Sequence, residues 1–231
     1  MLRWLLALVM LFAAPAAAQV PHLKDGRLIV DGKPFLILGG ELGNSSASNR
    51  EWLRPKWQKL KAANLNTVLA PVTWELIEPV EGQFDFSSVN WLIEDARAHD
   101  MRLVLLWFGA WKNSMSTYVP AWVKRDEQRF PRTIGADGKT QEILSAFGEA
   151  TRDADARAFA GLMRHLKQVD GDRHTVIMVQ VENEIGFLPT AREHGPAADA
   201  VFAKWKGGEE EFTAHHYARF VEALAAAGKR E

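Results

Sequence analysis

Short apolar runs alternate with stretches of helical periodicity along most of the chain. Apolar residues rich in Val, Ile and Leu fill four runs with the length of buried strands, at 35–40, 67–71, 102–107 and 175–181. Helical spacing follows each run, on faces formed by Trp52, Leu53, Trp57, Leu60 and Ala63, by Val89, Leu92, Ile93 and Ala96, by Ala158, Leu162, His165 and Leu166, and within about Glu210–Ala227. Strands that are apolar throughout are buried on both faces, so the pattern predicts a parallel sheet covered by helices.

Turn and breaker residues refine these elements. A hairpin is predicted over Arg27–Leu36, with Asp31-Gly32 as its turn. Pro55 is expected in the first turn of its helix, and Gly228 is expected to cap the last helix. A long loop is expected from the third strand to about Asp153.

The predicted connections are long after strands and short after helices. This asymmetry is typical of a (β/α) barrel, whose active site is built from the loops that follow the strands. The predicted fold class is therefore α/β, of the (β/α)8 TIM-barrel type. Only about the first four β/α units follow the hairpin, since a whole barrel takes roughly 250 residues. Residues 19–231 are interpreted as the N-terminal half of one barrel domain.

The first residues resemble a secretory signal peptide, predicted over residues 1–18. Arg3 supplies the positive start, Trp4–Ala14 the apolar stretch, and Ala16-Ala17-Ala18 the small-residue cleavage site. An uncleaved N-terminal anchor is the alternative. Cleavage predicts an exported protein, periplasmic or extracellular, with no stable membrane insertion.

Composition excludes several classes of function. The chain has 28 Lys+Arg and 29 Asp+Glu, a formal net charge of −1, which offers no electrostatic footprint for nucleic acid. The absence of Cys excludes disulfides, Cys zinc sites and thiol nucleophiles. The seven His residues form no metal-binding pattern and no nucleotide-binding motif occurs, so neither a metal nor a cofactor is predicted.

The sharpest chemical signal is Gln180–Gly186, which ends the fourth predicted strand. It places Glu182, Asn183 and Glu184 where an apolar strand meets its loop. A carboxyl group there can act as a general acid or base, and an adjacent amide can bind hydroxyl groups without titrating.

Two segments carry a family resemblance. Val176-Ile-Met-Val-Gln-Val-Glu-Asn-Glu-Ile-Gly186 closely resembles the strand-four motif of glycoside hydrolase family 35 β-galactosidases. The second match joins Leu65-Asn-Thr-Val68, Trp74-Glu-Leu-Ile-Glu-Pro79 and Glu81-Gly-Gln-Phe-Asp-Phe86, which resemble the family's strand-two segment. The resemblance covers about Asp31–Gly186 and implies a retaining exo-glycosidase that releases terminal β-linked galactose from oligo- or polysaccharides, including plant-type oligosaccharides.

The resemblance also implies roles for individual residues. Glu184 corresponds to the acid/base, and Asn183 to the residue that binds the sugar's 2-hydroxyl. Glu182 is interpreted as supporting this site or as a simple ion-pair partner. Trp74 and Glu75 follow strand two and are candidate sugar contacts, although Trp74 can equally be a core residue. The family usually has Asn where Glu75 stands, which puts the sugar specificity in doubt.

The segment after the third strand departs most from the family. Trp107-Phe-Gly-Ala-Trp-Lys-Asn-Ser114 stands where the family has Arg-Pro-Gly-Pro-Tyr leading to Cys-Ala-Glu-Trp, and it resembles a bacterial subgroup. Trp111, Lys112 and Asn113 are therefore candidates at the pocket mouth, with a solvated loop charge as the alternative for Lys112. Glu41, after the first strand, either contacts the sugar or caps the loop.

A retaining glycosidase needs a second carboxylate as nucleophile. In this family's clan it follows the seventh barrel strand, so we expect it beyond Glu231. The alternative function is a non-catalytic half barrel that binds a sugar or a partner.

Overall fold

The computed structural model describes residues 19–188 and 190–231, so the predicted signal peptide at residues 1–18 lies outside the described residues. Its strands are β1 His22–Lys24, β2 Arg27–Val30, β3 Lys33–Pro34, β4 Gly39–Glu41, β5 Thr67–Thr73, β6 Arg102–Phe108, β7 Arg132–Ile134, β8 Thr140–Leu144 and β9 Val176–Val181. Its helices are α1 Arg50–Ala62, α2 Trp74–Ile77, α3 Ser87–Ala98, α4 Ala121–Arg125, α5 Glu149–Asp170, α6 Pro196–Phe202 and α7 Glu209–Lys229, with a 3₁₀ turn at Ser46–Ser48.

The central sheet is parallel and runs in chain order, β4-β5-β6-β9. A long helix follows each of these strands: α1, α3, α5 and α7. Sequential parallel strands with returning helices form one side of a (β/α)8 barrel, which confirms the predicted fold class. Since the strands are parallel, the ends at Glu41, Thr73, Phe108 and Val181 lie along one edge of the sheet.

Alternating side chains on β6 divide the core into two layers. Leu103, Leu105 and Trp107 belong to the large cluster shared with the helices. Val104, Leu106 and Phe108 point the other way and pack in a smaller cluster with Val30 of the hairpin. The strand is therefore buried on both faces, as its continuous apolar sequence predicts.

The predicted hairpin is present and packs against the smaller cluster through Val30. β2 pairs antiparallel with β3 across Asp31 and Gly32, which both adopt positive φ (51° and 74°). Asp31 accepts hydrogen bonds from Arg102 at 2.5 Å and from His174 at 3.2 Å, next to the starts of β6 and β9. These contacts attach the hairpin turn to the sheet edge opposite the loops that follow the strands.

Burial of the outer strands differs from the prediction. Leu36 and Leu38, in the first predicted strand, are 76% and 49% exposed, and the strand itself is only Gly39–Glu41. Met178 on β9 is 44% exposed. Both strands lie at edges of the described sheet, each pairing with one neighbour, so one flank lacks covering side chains.

Three local predictions on helices and loops are wrong. Pro55 lies in the second turn of α1, where its lack of a backbone N–H removes one helical hydrogen bond. The burial of Leu53 and Trp57 stabilises the helix around this position. The long loop after β6 contains α4 and the β7–β8 hairpin, and α5 begins already at Glu149. On α1, Trp52 is half exposed and does not join the buried face.

Gly228 does not cap the last helix but lies inside α7, buried against α5. A Cβ atom there would lie 2.4 Å from Phe159 Cε1. The glycine therefore permits the close approach of the two helices. None of the helices in residues 19–188 and 190–231 is both long enough and apolar enough to cross a membrane.

Replacing Gly228 with Ala will destabilise the chain by about 1–3 kcal/mol, since the steric overlap with Phe159 outweighs the helix propensity gained, which is about 1 kcal/mol. Urea unfolding followed by circular dichroism measures the change. Ala226→Gly, on the exposed face of α7, is the matched control and costs about 1 kcal/mol through propensity alone. A Gly228→Ala chain more stable than the wild type would contradict the packing argument.

Candidate active site

The turn after β9 has an unusual backbone. Glu182 and Glu184 adopt left-handed conformations, with φ of 62° and 47°, each costing about 1–2 kcal/mol for a residue with a side chain. Hydrogen bonds compensate at both positions. Gln180 Nε2 donates to the carbonyl of Glu182 at 2.9 Å, and Ser114 N donates to the carbonyl of Glu184 at 2.8 Å. The loop after β6 thus fixes the direction of the turn after β9.

Lys112, Asn183 and Glu184 meet at this edge of the sheet. The ammonium of Lys112 donates to Glu184 Oε2 at 2.5 Å and to Asn183 Oδ1 at 2.7 Å. The side chain of Lys112 is only 7% exposed, whereas that of Glu184 is 59% exposed. A buried cation thus holds an accessible carboxyl and a neighbouring amide in fixed positions.

The Lys112 side chain rests on the end of β6. Its Nζ lies 5.2 Å from the centroid of the Phe108 ring, a distance suited to a cation–π contact. Tyr118 packs against the same ring, with 5.4 Å between centroids. The tight turn that follows, Asn113-Ser114, has positive φ at both residues. Lys112 is therefore a structured part of the site, not the solvated loop charge that the sequence left open.

Two buried carboxyls lie beneath this group. Glu182 accepts hydrogen bonds from Ala110 N and Trp111 N, both at 3.0 Å, and Asp155 of α5 accepts from Ala110 N at 2.7 Å and from Trp107 Nε1 at 2.9 Å. Burial, and then the charge of Asp155, raise the pKa of Glu182 well above its usual range. Burial also raises the pKa of Asp155, to about 6.

A third buried carboxyl, Glu193, supports the loop beyond the turn. Ser145 Oγ lies 2.7 Å and 2.9 Å from its two oxygens. Burial raises the pKa of Glu193 to about 7. Tyr217 of α7 donates to the carbonyl of Gly186 at 3.0 Å, and burial and the nearby Glu193 raise the pKa of its hydroxyl.

Two candidate residues lie in the core. Trp74 is fully buried and donates through Nε1 to Glu78 Oε2 at 2.8 Å. Trp111 is almost fully buried, donates to the carbonyl of Leu144 and packs against Phe220 at 4.4 Å. Neither ring presents a face to solvent, so the structure places both as supports behind the site and not as stacking surfaces for a sugar.

The remaining candidates lie at or after the strand ends, outside the Lys112 hydrogen bonds. Glu75 lies in the first turn of α2 and is paired with Lys124, with Nζ and Oε2 3.4 Å apart. Asn113 is exposed at its turn, and Glu41 is exposed at the end of β4. Within the described residues, no group of three or more His, Cys, Asp or Glu side chains could hold a metal ion.

The model of the glycosyl hydrolases family 35 matches residues 27–223. This match covers most of the chain. The chain belongs to glycosyl hydrolase family 35.

Similar proteins agree with this membership. The chain is 31% identical over 212 residues to a β-galactosidase of Xanthomonas manihotis, and this alignment covers 84% of the chain and 32% of the relative. A β-galactosidase of Macaca fascicularis is 27% identical over 212 residues, covering 84% of the chain and 29% of the relative. The chain thus spans about a third of the length of these relatives.

A solved structure shows the same fold. The β-galactosidase from the psychrophilic Marinomonas ef1 superimposes with a TM-score of 0.58 at 15% identity, covering 74% of this chain and 25% of that one. At this identity the similarity concerns the fold alone. It agrees with the central sheet and helices of this chain forming part of a barrel.

Sequence reasoning missed the most deeply buried part of the site. Glu182 has another carboxyl as its neighbour instead of the cation that ion pairing requires. Asp155 belongs to none of the sequence motifs, although it falls three residues before Ala158 on the apolar face of α5. A lone carboxyl on a buried helical face was the available signal, because such a group needs a polar partner inside the fold.

The pKa of Glu193 predicts a pH-dependent stability. The folded-state pKa of about 7 lies above the ordinary 4.5, so the stabilisation is complete below pH 4.5 and is lost as pH rises through 7. Glu193 will account for about 3 kcal/mol of the fall in unfolding free energy between acidic and mildly alkaline pH. Urea unfolding across this range measures it.

Glu193→Gln will remove this share of the pH dependence, whereas Glu210→Gln, at an exposed position on α7, will leave it unchanged. An identical pH dependence in the wild type and in Glu193→Gln would show that Glu193 is ionised in the folded chain at neutral pH.

Proposed function

We propose that the chain is the N-terminal part of a retaining glycoside hydrolase of the exo-β-galactosidase type, with Glu184 as its acid/base. The observation that carries the proposal is the position of Glu184. Its carboxyl is accessible at the edge where the central strands end, and a buried cation holds it in place. In a (β/α) barrel this edge carries the catalytic groups.

Glu184 would act twice in the reaction. As a carboxylic acid it protonates the glycosidic oxygen while the bond to the leaving group breaks, and as a carboxylate it then removes a proton from the water that releases the sugar. Lys112 contacts Oε2, so Oε1 is the oxygen left for these proton transfers. Lys112 thereby orients the acid/base without needing to touch the substrate.

Asn183 would bind a sugar hydroxyl through its amide nitrogen. An ammonium group only donates hydrogen bonds, so the amide oxygen must face Lys112, as it does at 2.7 Å. The Nδ2 group is then the free donor, and a ring hydroxyl beside the reacting carbon can accept from it. This fits the role that the sequence resemblance implies, binding of the 2-hydroxyl.

The proposed substrate is a terminal β-linked galactose on an oligo- or polysaccharide, including plant-type oligosaccharides. The support is the naming of the relatives from Xanthomonas manihotis and Macaca fascicularis as β-galactosidases. Glu75, Asn113 and Glu41 supply further polar groups at the strand ends that could bind sugar hydroxyls. Trp74 and Trp111 would hold the loops that carry these groups.

The nucleophile is proposed to follow Glu231 in the complete protein. Retention requires two carboxyl groups about 5–5.5 Å apart. The relatives are about three times as long as the stretch they share with this chain, which leaves room for the later strands. Export to the periplasm or the medium after cleavage near residue 18 is also proposed, and the intact mass of the natural protein tests the cleavage and the length together.

Glu184→Gln in the complete natural protein will lower kcat on a natural β-galactoside by about 10²–10⁴-fold, since it removes the proton donor. Hydrolysis of an alkyl-linked and a nitrophenyl-linked β-galactoside measures the loss. The nitrophenyl leaving group needs less protonation, so its bond-breaking step will fall less. Glu142→Gln, at an exposed position on β8, is the control and will leave both rates unchanged.

Equal rates for Glu184→Gln and the wild type on the alkyl glycoside would exclude Glu184 as the acid. A complete protein that binds galactosides but hydrolyses none would favour the second candidate, a sugar- or partner-binding half barrel.

A further inference from the structure

Beneath the proposed acid/base, Asp155 and Glu182 compete for one backbone hydrogen. Ala110 N lies 2.7 Å from Asp155 Oδ2 and 3.0 Å from Glu182 Oε1, which brings these two oxygens together. Both residues are buried to at least 98%. Neither carboxyl has a Lys, Arg or His partner within 4 Å among residues 19–188 and 190–231.

Two adjacent carboxylates cannot both stay ionised in such surroundings, because burial and mutual repulsion each oppose the second charge. One proton between them removes the repulsion and adds a hydrogen bond from one carboxyl to the other. Three N–H donors, from Trp107, Ala110 and Trp111, satisfy the remaining oxygens.

The backbone at Gly109 passes very close to the oxygens of Asp155 and Glu182. A Cβ atom on Gly109 would lie 2.4 Å from Glu182 Oε1 and 2.5 Å from Asp155 Oδ2. Only glycine allows the chain to pass so close at this point. The pair therefore joins three elements: α5, the segment after β6 and the end of β9.

We infer that Asp155 and Glu182 are positioning residues that share one proton and thereby lock the segment Ala110–Lys112 against the turn Glu182–Glu184. The lock acts at the residues next to the functional ones. Glu182 precedes Asn183 directly and holds the amide of Trp111, which directly precedes Lys112. The hydrogen bonds of the pair also help to keep Glu182 in its left-handed conformation, from which Asn183 and Glu184 reach Lys112.

Other titratable groups around the pair do not supply a neutralising charge. From the α2 side, Glu78 adds negative charge that opposes ionisation of Asp155, and its own oxygens are bound by Trp74 Nε1 and Gly82 N. From α7, Tyr217 packs against the Trp111 ring. Lys112 directs its ammonium to Asn183 and Glu184.

The direction of the pH effect follows from the raised pKa values of both carboxyls. Groups whose folded-state pKa exceeds the unfolded value stabilise the fold at acidic pH and lose this contribution as pH rises through the folded-state pKa. The pair therefore stabilises this arrangement while it carries the shared proton and loses that contribution as pH rises through the pKa at which the proton leaves.

The decisive experiment follows the side-chain carboxyl ¹³C signals of Asp155 and Glu182, and the amide signals of Ala110 and Trp111, by NMR from acidic to alkaline pH. We expect one shared proton to remain at neutral pH and the two amides to shift when it is lost. Two ionised carboxylates at neutral pH would overturn the inference. This readout needs no enzymatic activity.

Glu182→Gln provides a permanent copy of the protonated state. Its amide oxygen can accept from Trp111 N and its amide nitrogen can donate to Asp155, while Ala110 N keeps Asp155 Oδ2. We expect the amides of Ala110 and Trp111 to keep their signals and to lose the response that accompanies departure of the shared proton in the wild type. A response at that same pH that persists in Glu182→Gln would contradict proton sharing. Glu142→Gln, at an exposed position, is the matched control.

The catalytic consequence rests on the proposed function. In the complete protein we expect Glu182→Ala to lower kcat about 100-fold, because misplacement of catalytic groups carries a cost of this order, and Glu182→Gln to restore most of it. If Glu182→Ala does not fold, the pH profile of Glu182→Gln decides, since its alkaline loss of kcat must be smaller than that of the wild type. A protein without glycosidase activity would refute the proposed function, whereas the NMR result stands by itself.

Discussion

The parallel register of the central strands is the constraint on which the site depends. Thr73 pairs with Phe108 and Trp107 with Val181, so the loops after β5, β6 and β9 leave the sheet side by side. Lys112 and Asn183, 71 positions apart in sequence, meet for this reason. A shift of one residue in β6 would turn Phe108 toward the helices and remove the ring on which Lys112 rests.

The site is organised by depth. Its accessible layer is the Glu184 carboxyl, its middle layer the Lys112 ammonium and the Asn183 amide, and its deepest layer the Asp155–Glu182 pair. A carboxylate that is accessible to solvent needs no counter-charge. A carboxylate in the interior must be paired with a cation or be protonated. The structure follows this rule by using a cation in the middle layer and a raised pKa in the deepest one.

The side chains that meet at the site come from two segments that differ in how closely they resemble family 35. Asn183 and Glu184 belong to the segment that most resembles family 35, while Lys112 belongs to the segment that departs from the family pattern. The part shared with the family thus supplies the proposed acid/base and the amide, and the departing part supplies the cation that contacts both.

The sequence by itself determined the class of fold, the hairpin, the four β/α units and the segment that holds Asn183 and Glu184. These features follow from short-range patterns: apolar runs, helical spacing and turn residues with positive φ. It did not determine that Trp74 and Trp111 are buried, that Gly228 lies inside a helix contact, or that Asp155 lies beside Glu182. Those depend on which surfaces meet between residues far apart in the sequence, and only the tertiary structure decided them, because burial and charge pairing are properties of neighbours in space.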